Sequence, residues 1–403
     1  MYHYQIDAPV ADFDHFVSHH PQANLLQSSS WATIKNNWKS ERLLVRNQEK
    51  EILAAALILI RPLPLGLTML YIPRGPIMDY QDQELVNYVM KTLKERAKKH
   101  RAILAKFDPS LFLSKTLPDG NVEQDPLTQT AIQQLQQAGA KWLGPTEQLD
   151  ESIQPRFHAN LYQEYFDEKQ LSKRARQNIR TARNKGIEIV FGREELLDAF
   201  AELMKQTEDR KQISLRGKDY YQKLLATYGD DSFITMALLD LDQRIQSLQA
   251  ELQNLQAEAN SFTDQTRTNK VEQNQKEQER LQTELSFLAE MQEKYGSKVA
   301  LAATLTLEYG PTAENIYAGM NSDFTHYQAP ILTWYETALH SFNRGKSWQN
   351  MGGVENKLDG GLFNFKKNLN PVIEEFVGEF DLATSPLYPL AQAALAFRKK
   401  LRK

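Results

Sequence analysis

The segment Leu171-Ser-Lys-Arg-Ala-Arg-Gln-Asn-Ile-Arg-Thr-Ala-Arg-Asn-Lys185 gathers six cations, Lys173, Arg174, Arg176, Arg180, Arg183 and Lys185, with no acid among them. Gly186 follows where a helix of that length needs a left-handed stop. Lys and Arg clustered on one helix are the groups that hold phosphate oxygens, so the segment predicts contact with a polyanion. Across the whole chain 48 Lys plus Arg face 51 Asp plus Glu, a formal net charge of −3, so any nucleic-acid contact must be a local patch. A second basic run, Arg398-Lys-Lys-Leu-Arg-Lys403, closes the chain. It reads as a solvated tail, with an anionic membrane surface as the alternative contact.

Other chemistry loses support by absence from the sequence. With no cysteine there is no thiol nucleophile, thiolate metal site or disulfide, which fits a reducing compartment. The chain has no Gly-x-x-x-x-Gly-Lys-Ser/Thr loop, Gly-x-Gly-x-x-Gly fingerprint, Gly-x-Ser-x-Gly elbow or His-Glu-x-x-His helix. No cofactor and no metal is expected. The first residues carry Asp7 and Asp12 and lack a basic region leading into an apolar core, so they are not read as a secretory signal, and a cytoplasmic protein is expected.

These groups must be positioned by a chain of 403 residues, enough for two or three domains. The most apolar stretch reads as two buried strands, 52–60 and 67–72, because Arg61, Pro62, Pro64 and Gly66 interrupt any membrane helix there; the turn between them reads as a tight connector, with a membrane-touching loop as the lesser alternative. A helix over 84–100, with Leu85, Val86, Val89, Leu93 and Ala97 on one face, and a strand over 102–107 follow. The order of strand, strand, loop, helix, strand returns at 233–241, 299–307, 316–320, 330–342 and 348–351. This α/β (α+β) repetition resembles the fold of the Gcn5-related N-acetyltransferases used twice. The expected domains are 1–150, completed by 378–403, and 151–377. Inserted in the second, 242–297 carries an apolar seam at Ile245, Leu248, Leu252 and Leu255, resuming at Leu281, Leu285 and Leu288, which predicts an antiparallel coiled-coil hairpin separable from the core.

Specific sequence blocks then narrow the class. They are Gln27-Ser-Ser-Ser-Trp31 with Lys35 and Trp38, Tyr71-Ile-Pro-Arg-Gly-Pro76, Phe107-Asp-Pro109, the basic segment, Leu362-Phe-Asn-Phe-Lys366 and Phe376-Val-Gly-Glu379. Together they resemble the Fem family of non-ribosomal peptidyl transferases, and within it the members that begin an interpeptide branch. The resemblance implies transfer of alanine or serine from aminoacyl-tRNA to the stem-peptide lysine of a lipid-linked muramyl pentapeptide precursor, at the inner membrane surface. It further implies that Lys35, Trp38, Arg216 and Tyr220 hold the precursor's phosphate and sugar and that Tyr317 lines its channel. By the same resemblance Lys366 lies beside the acyl-transfer centre, with Asp108 and Glu379 as nearby acids. Asp108 also suits an active site on position alone, at the end of a predicted strand. Lys367, one position away, is the competitor of Lys366. Rival readings are a CoA-dependent N-acyltransferase, which would normally carry a Gln/Arg-x-x-Gly-x-Gly/Ala turn not found here, and a non-catalytic coiled-coil scaffold.

Overall fold

The computed structural model describes residues 1–390 and Ala393, so the basic run 398–403 lies outside the described residues. Two sheets form the body. The first has eight strands, in the order His3–Ile6, Lys39–Arg46, Ile52–Pro62, Thr68–Arg74, Ala102–Pro109, Phe380–Ala383 and Lys141–Trp142, with Ile77–Met78 paired beside Ile52–Pro62. The second has nine, running Glu188–Gly192, Ser232–Asp240, Lys298–Tyr309, Thr312–Met320, Trp348–Val354, Phe157–Tyr162, Val372–Phe376, Phe112–Thr116 and Val122–Gln124. Strands 112–116 and 122–124 therefore belong to the second sheet, although the span 1–150 was assigned to the first domain. Residues 380–383 join the first sheet.

The apolar run of Ile52–Pro62 follows from burial on both faces. Ala55, Leu57 and Leu59 enter one core, while Ala54, Ala56, Ile58 and Ile60 enter another. Helix Gln83–Lys99 covers the latter with Leu85, Val86, Val89, Leu93 and Ala97, and the Asp82 side chain caps it by accepting from the Leu85 N–H. Among the described residues no helix is long and apolar enough to cross a membrane.

Each sheet contains one parallel pair, and the two pairs differ in a way that places the chemistry. In the first sheet Thr68–Arg74 and Ala102–Pro109, after one irregularity between Thr68 and Leu70, stay paired to their last residues, Arg74 opposite Pro109. In the second, Thr312–Met320 and Trp348–Val354 pair only from Thr312–Trp348 to Glu314–Asn350. Beyond Glu314 and Asn350 the strands part, leaving a wedge whose walls carry Tyr317 and Gly352.

The insertion is a helical hairpin, Leu241–Asn260 and Thr268–Tyr295. Leu248, Leu281 and Leu288 close its seam, and buried Asn274 donates from Nδ2 to the Leu255 carbonyl at 3.0 Å and to Glu258 at 3.1 Å. Its root is not separable: Leu241, Leu248, Leu281, Leu288 and Met291 share one core with Phe324, Tyr327 and the helix Ala329–Asn343. Replacing only residues 253–276 by a short turn should leave a cooperatively folding body. Leu288→Ala should cost about 2–5 kcal/mol through the cavity it opens. Urea unfolding of both variants checks this; a loss of cooperativity in the trimmed arm would contradict it.

Candidate active site

Short-range packing explains the first sequence block. Gln27 donates from Nε2 to the Pro73 carbonyl at 2.5 Å and accepts from the Leu57 N–H at 2.8 Å. Its side chain lies so close under Gly75 that an added Cβ would sit 2.7 Å from it, so the glycine is required there. Ser28 caps helix Ser29–Ile34 by accepting from the Trp31 N–H and shares a 3.0 Å hydrogen bond with Tyr228. That short helix ends at Lys35.

Lys35 and Trp38 meet Arg216 and Tyr220 across a cleft of about 440 Å³ that includes Lys223. Arg216 lies 5.1 Å from the Tyr220 ring centroid, and Tyr220 meets Tyr317 edge-on at 6.3 Å. Arg216 also lines a second, adjoining cavity with Tyr317. All five residues expected to hold the precursor thus share one region. Half-burial, reinforced by the Arg216 charge, pushes the Lys35 ammonium below its ordinary range. Among the described residues neither Lys35 nor Arg216 forms an ion pair, and with Lys223 they set three cations against one acid of the cleft, Asp219. Such an excess favours an anionic guest, and Arg can present a fork to phosphate oxygens.

At the far end of the first sheet's parallel pair, Asp108 is 1% exposed. Its Oδ1 accepts from the Arg74 N–H at 3.2 Å, and Oδ2 is buried without a hydrogen-bond partner, 3.8 Å from Arg74 Nη1. Burial raises the carboxyl to about 7 against the lowering effect of Arg74. The Arg74 guanidinium lies 3.6 Å from the Phe376 ring centroid and donates from Nη2 to the Pro155 carbonyl (3.2 Å) and to His158 Nε2 (3.1 Å). Accepting there assigns the His158 proton to Nδ1, which donates to Asn350 Oδ1 at 3.2 Å. Asn350 Nδ2 in turn donates to Glu314 at 3.3 Å. Burial, with Arg74 and Lys366 facing it, keeps His158 neutral, while burial raises the Glu314 carboxyl to about 7. One buried chain of polar groups therefore joins the two sheets at the mouth of the wedge.

Lys366 and Lys367 separate cleanly. Lys366, 5% exposed, donates to the Gly353 carbonyl at 2.8 Å, and Gly353 is the sheet partner of His158. Burial lowers its ammonium to about 7. Lys367 is exposed, bonds Asn364 at 2.6 Å and lines a cavity of about 450 Å³ with Arg174, Asn178, Gln328 and Asn368. Glu379 is engaged elsewhere: its carboxylate accepts from Lys106 Nζ at 2.7 Å and from the Ile153 N–H at 2.6 Å. That leaves it less free than Asp108 to take a proton.

The basic segment is a helix, Lys173–Asn184, capped by Ser172. Arg183 is paired with Glu168 and Glu336, and Lys185 with Glu284 of the arm, so these two hold structure. Lys173, Arg176 and Arg180 face solvent, and Arg174 reaches the cavity. Arg74, His158 and Glu314 had no assigned role in the sequence reading. Arg74 was signalled by its place between Pro73 and Gly75, whereas nothing local marks the other two.

A duplicated acyltransferase-like body with a wedge in its second sheet is the fold of an acyl-transfer enzyme. The chain belongs to the FemAB family, which it matches over residues 9–395, and it is an aminoacyltransferase. It is 25% identical over 411 residues to aminoacyltransferase FemA of Staphylococcus aureus, covering 97% of both chains. The solved structure of FemX superposes with a TM-score of 0.76 at 25% identity, covering 96% of this chain and 99% of that one. Enzymes of this family add amino acids to peptidoglycan precursors.

Proposed function

We propose that the chain transfers alanine or serine from aminoacyl-tRNA to the stem-peptide lysine of a lipid-linked precursor, beginning an interpeptide branch. The observation that carries this reading is the distribution of charge. A cleft with unpaired cations suits the precursor's phosphates, and a buried carboxyl and a buried lysine, both near neutrality, are joined to the strands of the wedge, Asp108 through Arg74, His158 and Asn350 and Lys366 through the Gly353 carbonyl.

The acceptor ammonium has an ordinary pKa of about 10.4 and must lose a proton before attack. Asp108, whose buried carboxyl is raised to about 7 while facing Arg74, is the group assigned to take it. The amine then adds to the ester carbonyl, the new C–N bond forms, and the bond to the ribose oxygen breaks. Lys366, a better acid than an ordinary lysine because of its burial, protonates the departing oxygen. The nitrogen passes its second proton to the now neutral Lys366, which restores the lysine, and Asp108 releases its proton to solvent. The donor's terminal nucleotide is assigned to the Arg174–Lys367 cavity, and the exposed cations of helix Lys173–Asn184 meet the phosphates beyond it.

Labelled alanine or serine should move to the precursor only when esterified to tRNA. Efficient transfer from an acyl-CoA, with none from charged tRNA, would sink the reading. For the cation cleft, Arg216→Ala and Lys35→Ala should each raise the precursor KM by the equivalent of about 1.5–3 kcal/mol, the value of a lost charge-assisted hydrogen bond. Unchanged binding in both folded variants would remove the cleft from the precursor site.

A further inference from the structure

The turn between strands Ile52–Pro62 and Thr68–Arg74 breaks two rules at one residue. Leu65 adopts φ 63°, ψ 24°, a left-handed conformation that Gly or Asn accepts more cheaply, and its side chain is 89% exposed. A single exposed leucine is ordinary, but a leucine held in a strained conformation with nothing covering it is a cost without a return inside the fold.

The surroundings are predominantly basic, with Glu95 exposed one turn before Lys98 and Lys99 and Glu41 buried against Arg96 and His100. Strand register brings the start of Lys39–Arg46, the turn 62–67, the start of Ala102–Pro109 and the end of Phe380–Ala383 to one edge of the first sheet. That edge presents Lys39, Arg61, Lys98, Lys99 and Arg101, all exposed. Arg101 Nη1 would lie 3.5 Å from a Cβ on Gly66, so its charge stands directly beside the turn. Segments 39–40, 61–68 and 98–101 contain no acid. The chain leaves the sheet at the same edge, with Thr384 bonded to the Ala102 carbonyl at 2.8 Å, and exposes Leu387 and Leu390. The Arg61 guanidinium lies 5.6 Å from the ring centroid of Trp38, so this edge is continuous with the Lys35–Arg216 cleft.

We infer that this sheet edge is a membrane-docking face, in which Leu65 enters the headgroup region of an anionic bilayer while Lys39, Arg61, Lys98, Lys99 and Arg101 meet its phosphates. An apolar tip inside a cationic rim is the pattern of a peripheral, interfacial contact. The topology also gives the face a direction. Strand Thr68–Arg74 runs from the docking edge to Asp108, about 20 Å at 3.3 Å per residue. A precursor whose lipid stays in the bilayer would meet the cation cleft first and the acyl-transfer centre deeper. This ordering, though not the docking itself, rests on the lipid-linked reading of the acceptor.

The test is co-sedimentation of the full chain with vesicles of phosphatidylcholine, with and without phosphatidylglycerol. The wild type should partition onto the anionic vesicles and much less onto the neutral ones. Leu65→Asn, which suits the left-handed turn, should weaken that partition on the order of tenfold, the worth of burying one leucine. Arg101→Gln should weaken it about fivefold. Both variants should keep wild-type transfer to a water-soluble, nucleotide-linked precursor. Absence of vesicle binding by the wild type, or unchanged binding in both variants, overturns the inference. Binding that follows these expectations in a protein that transfers nothing to any peptidoglycan precursor would preserve the docking face and overturn the functional reading instead.

Discussion

Lys366→Met is expected to lower kcat and kcat/KM together by about 10² to 10³ while leaving precursor affinity nearly unchanged. The reason is where the charge appears. Negative charge on the departing ribose oxygen exists only during reaction, so a group that protonates it contributes to the transition state and little to binding. Methionine keeps the length and apolar stem of the side chain, so the packing against the Gly352–Gly353 backbone should survive. Lys367→Met should change kcat little, since its ammonium faces the Arg174 cavity, and should appear instead in the KM for the tRNA donor. The pH profile carries the same information. Asp108, raised to about 7, must be ionised to accept a proton, and Lys366, lowered to about 7, must be charged to give one. Wild-type kcat should therefore fall on both sides of neutrality, and Lys366→Met should lose the alkaline limb. A pure KM effect at Lys366, or the large kcat loss at Lys367, would assign the proton donor elsewhere.

The second large effect is on stability. Arg74→Met removes the buried cation that faces Asp108 and Glu314, and breaking a buried pair of this kind costs about 3–5 kcal/mol. The cost should depend on pH, and its sign is fixed by the direction of the carboxyl shifts. Both acids have folded pKa values raised above their unfolded ones, so the stability they contribute is present in acid and is lost as pH rises through about 7. Removing Arg74 raises them further. The deficit should thus be largest near about pH 8 and shrink near about pH 5, where the carboxyls can take up protons. Urea unfolding of wild type and variant at both pH values reads this directly. Asp108→Asn in the Arg74→Met background should recover part of the loss. An equal deficit at both pH values would show that packing on Phe376, rather than charge, is what Arg74 supplies.

Much of this architecture is legible in the sequence because its core elements bury regular patterns. The run 52–60 is apolar throughout since its alternate residues enter two different cores, and the arm seam is periodic since it closes on itself. Strands 112–116 and 122–124 are not legible in this way: the first is half-buried and the second exposed, so neither carries alternation. The arm's root also misleads, because the same leucines that make a coiled-coil seam are shared with the domain core.

At the site, residue types were legible but partnerships were not. The cations of 173–185 stand out at once, yet the acids that occupy Arg183 and Lys185 come from Glu168, Glu336 and Glu284, on three other segments. Arg74 and His158 are 84 residues apart, and only the meeting of the two sheets makes them a pair. The lysine pair shows the opposite limit. One step along a helix turns a side chain by about 100°, which sends Lys366 inward to Gly353 and Lys367 outward to the cavity. No local signal could have told them apart without the fold.

The most direct measurement is the product itself. The full chain should be incubated with alanyl- or seryl-tRNA and a lysine-containing lipid-linked precursor, and the product fragmented by mass spectrometry. The account predicts a gain of one alanine or serine residue located on the side-chain amine of the stem-peptide lysine, abolished by ribonuclease treatment of the donor. A gain on any other amine, or none when the tRNA is intact and charged, would contradict it.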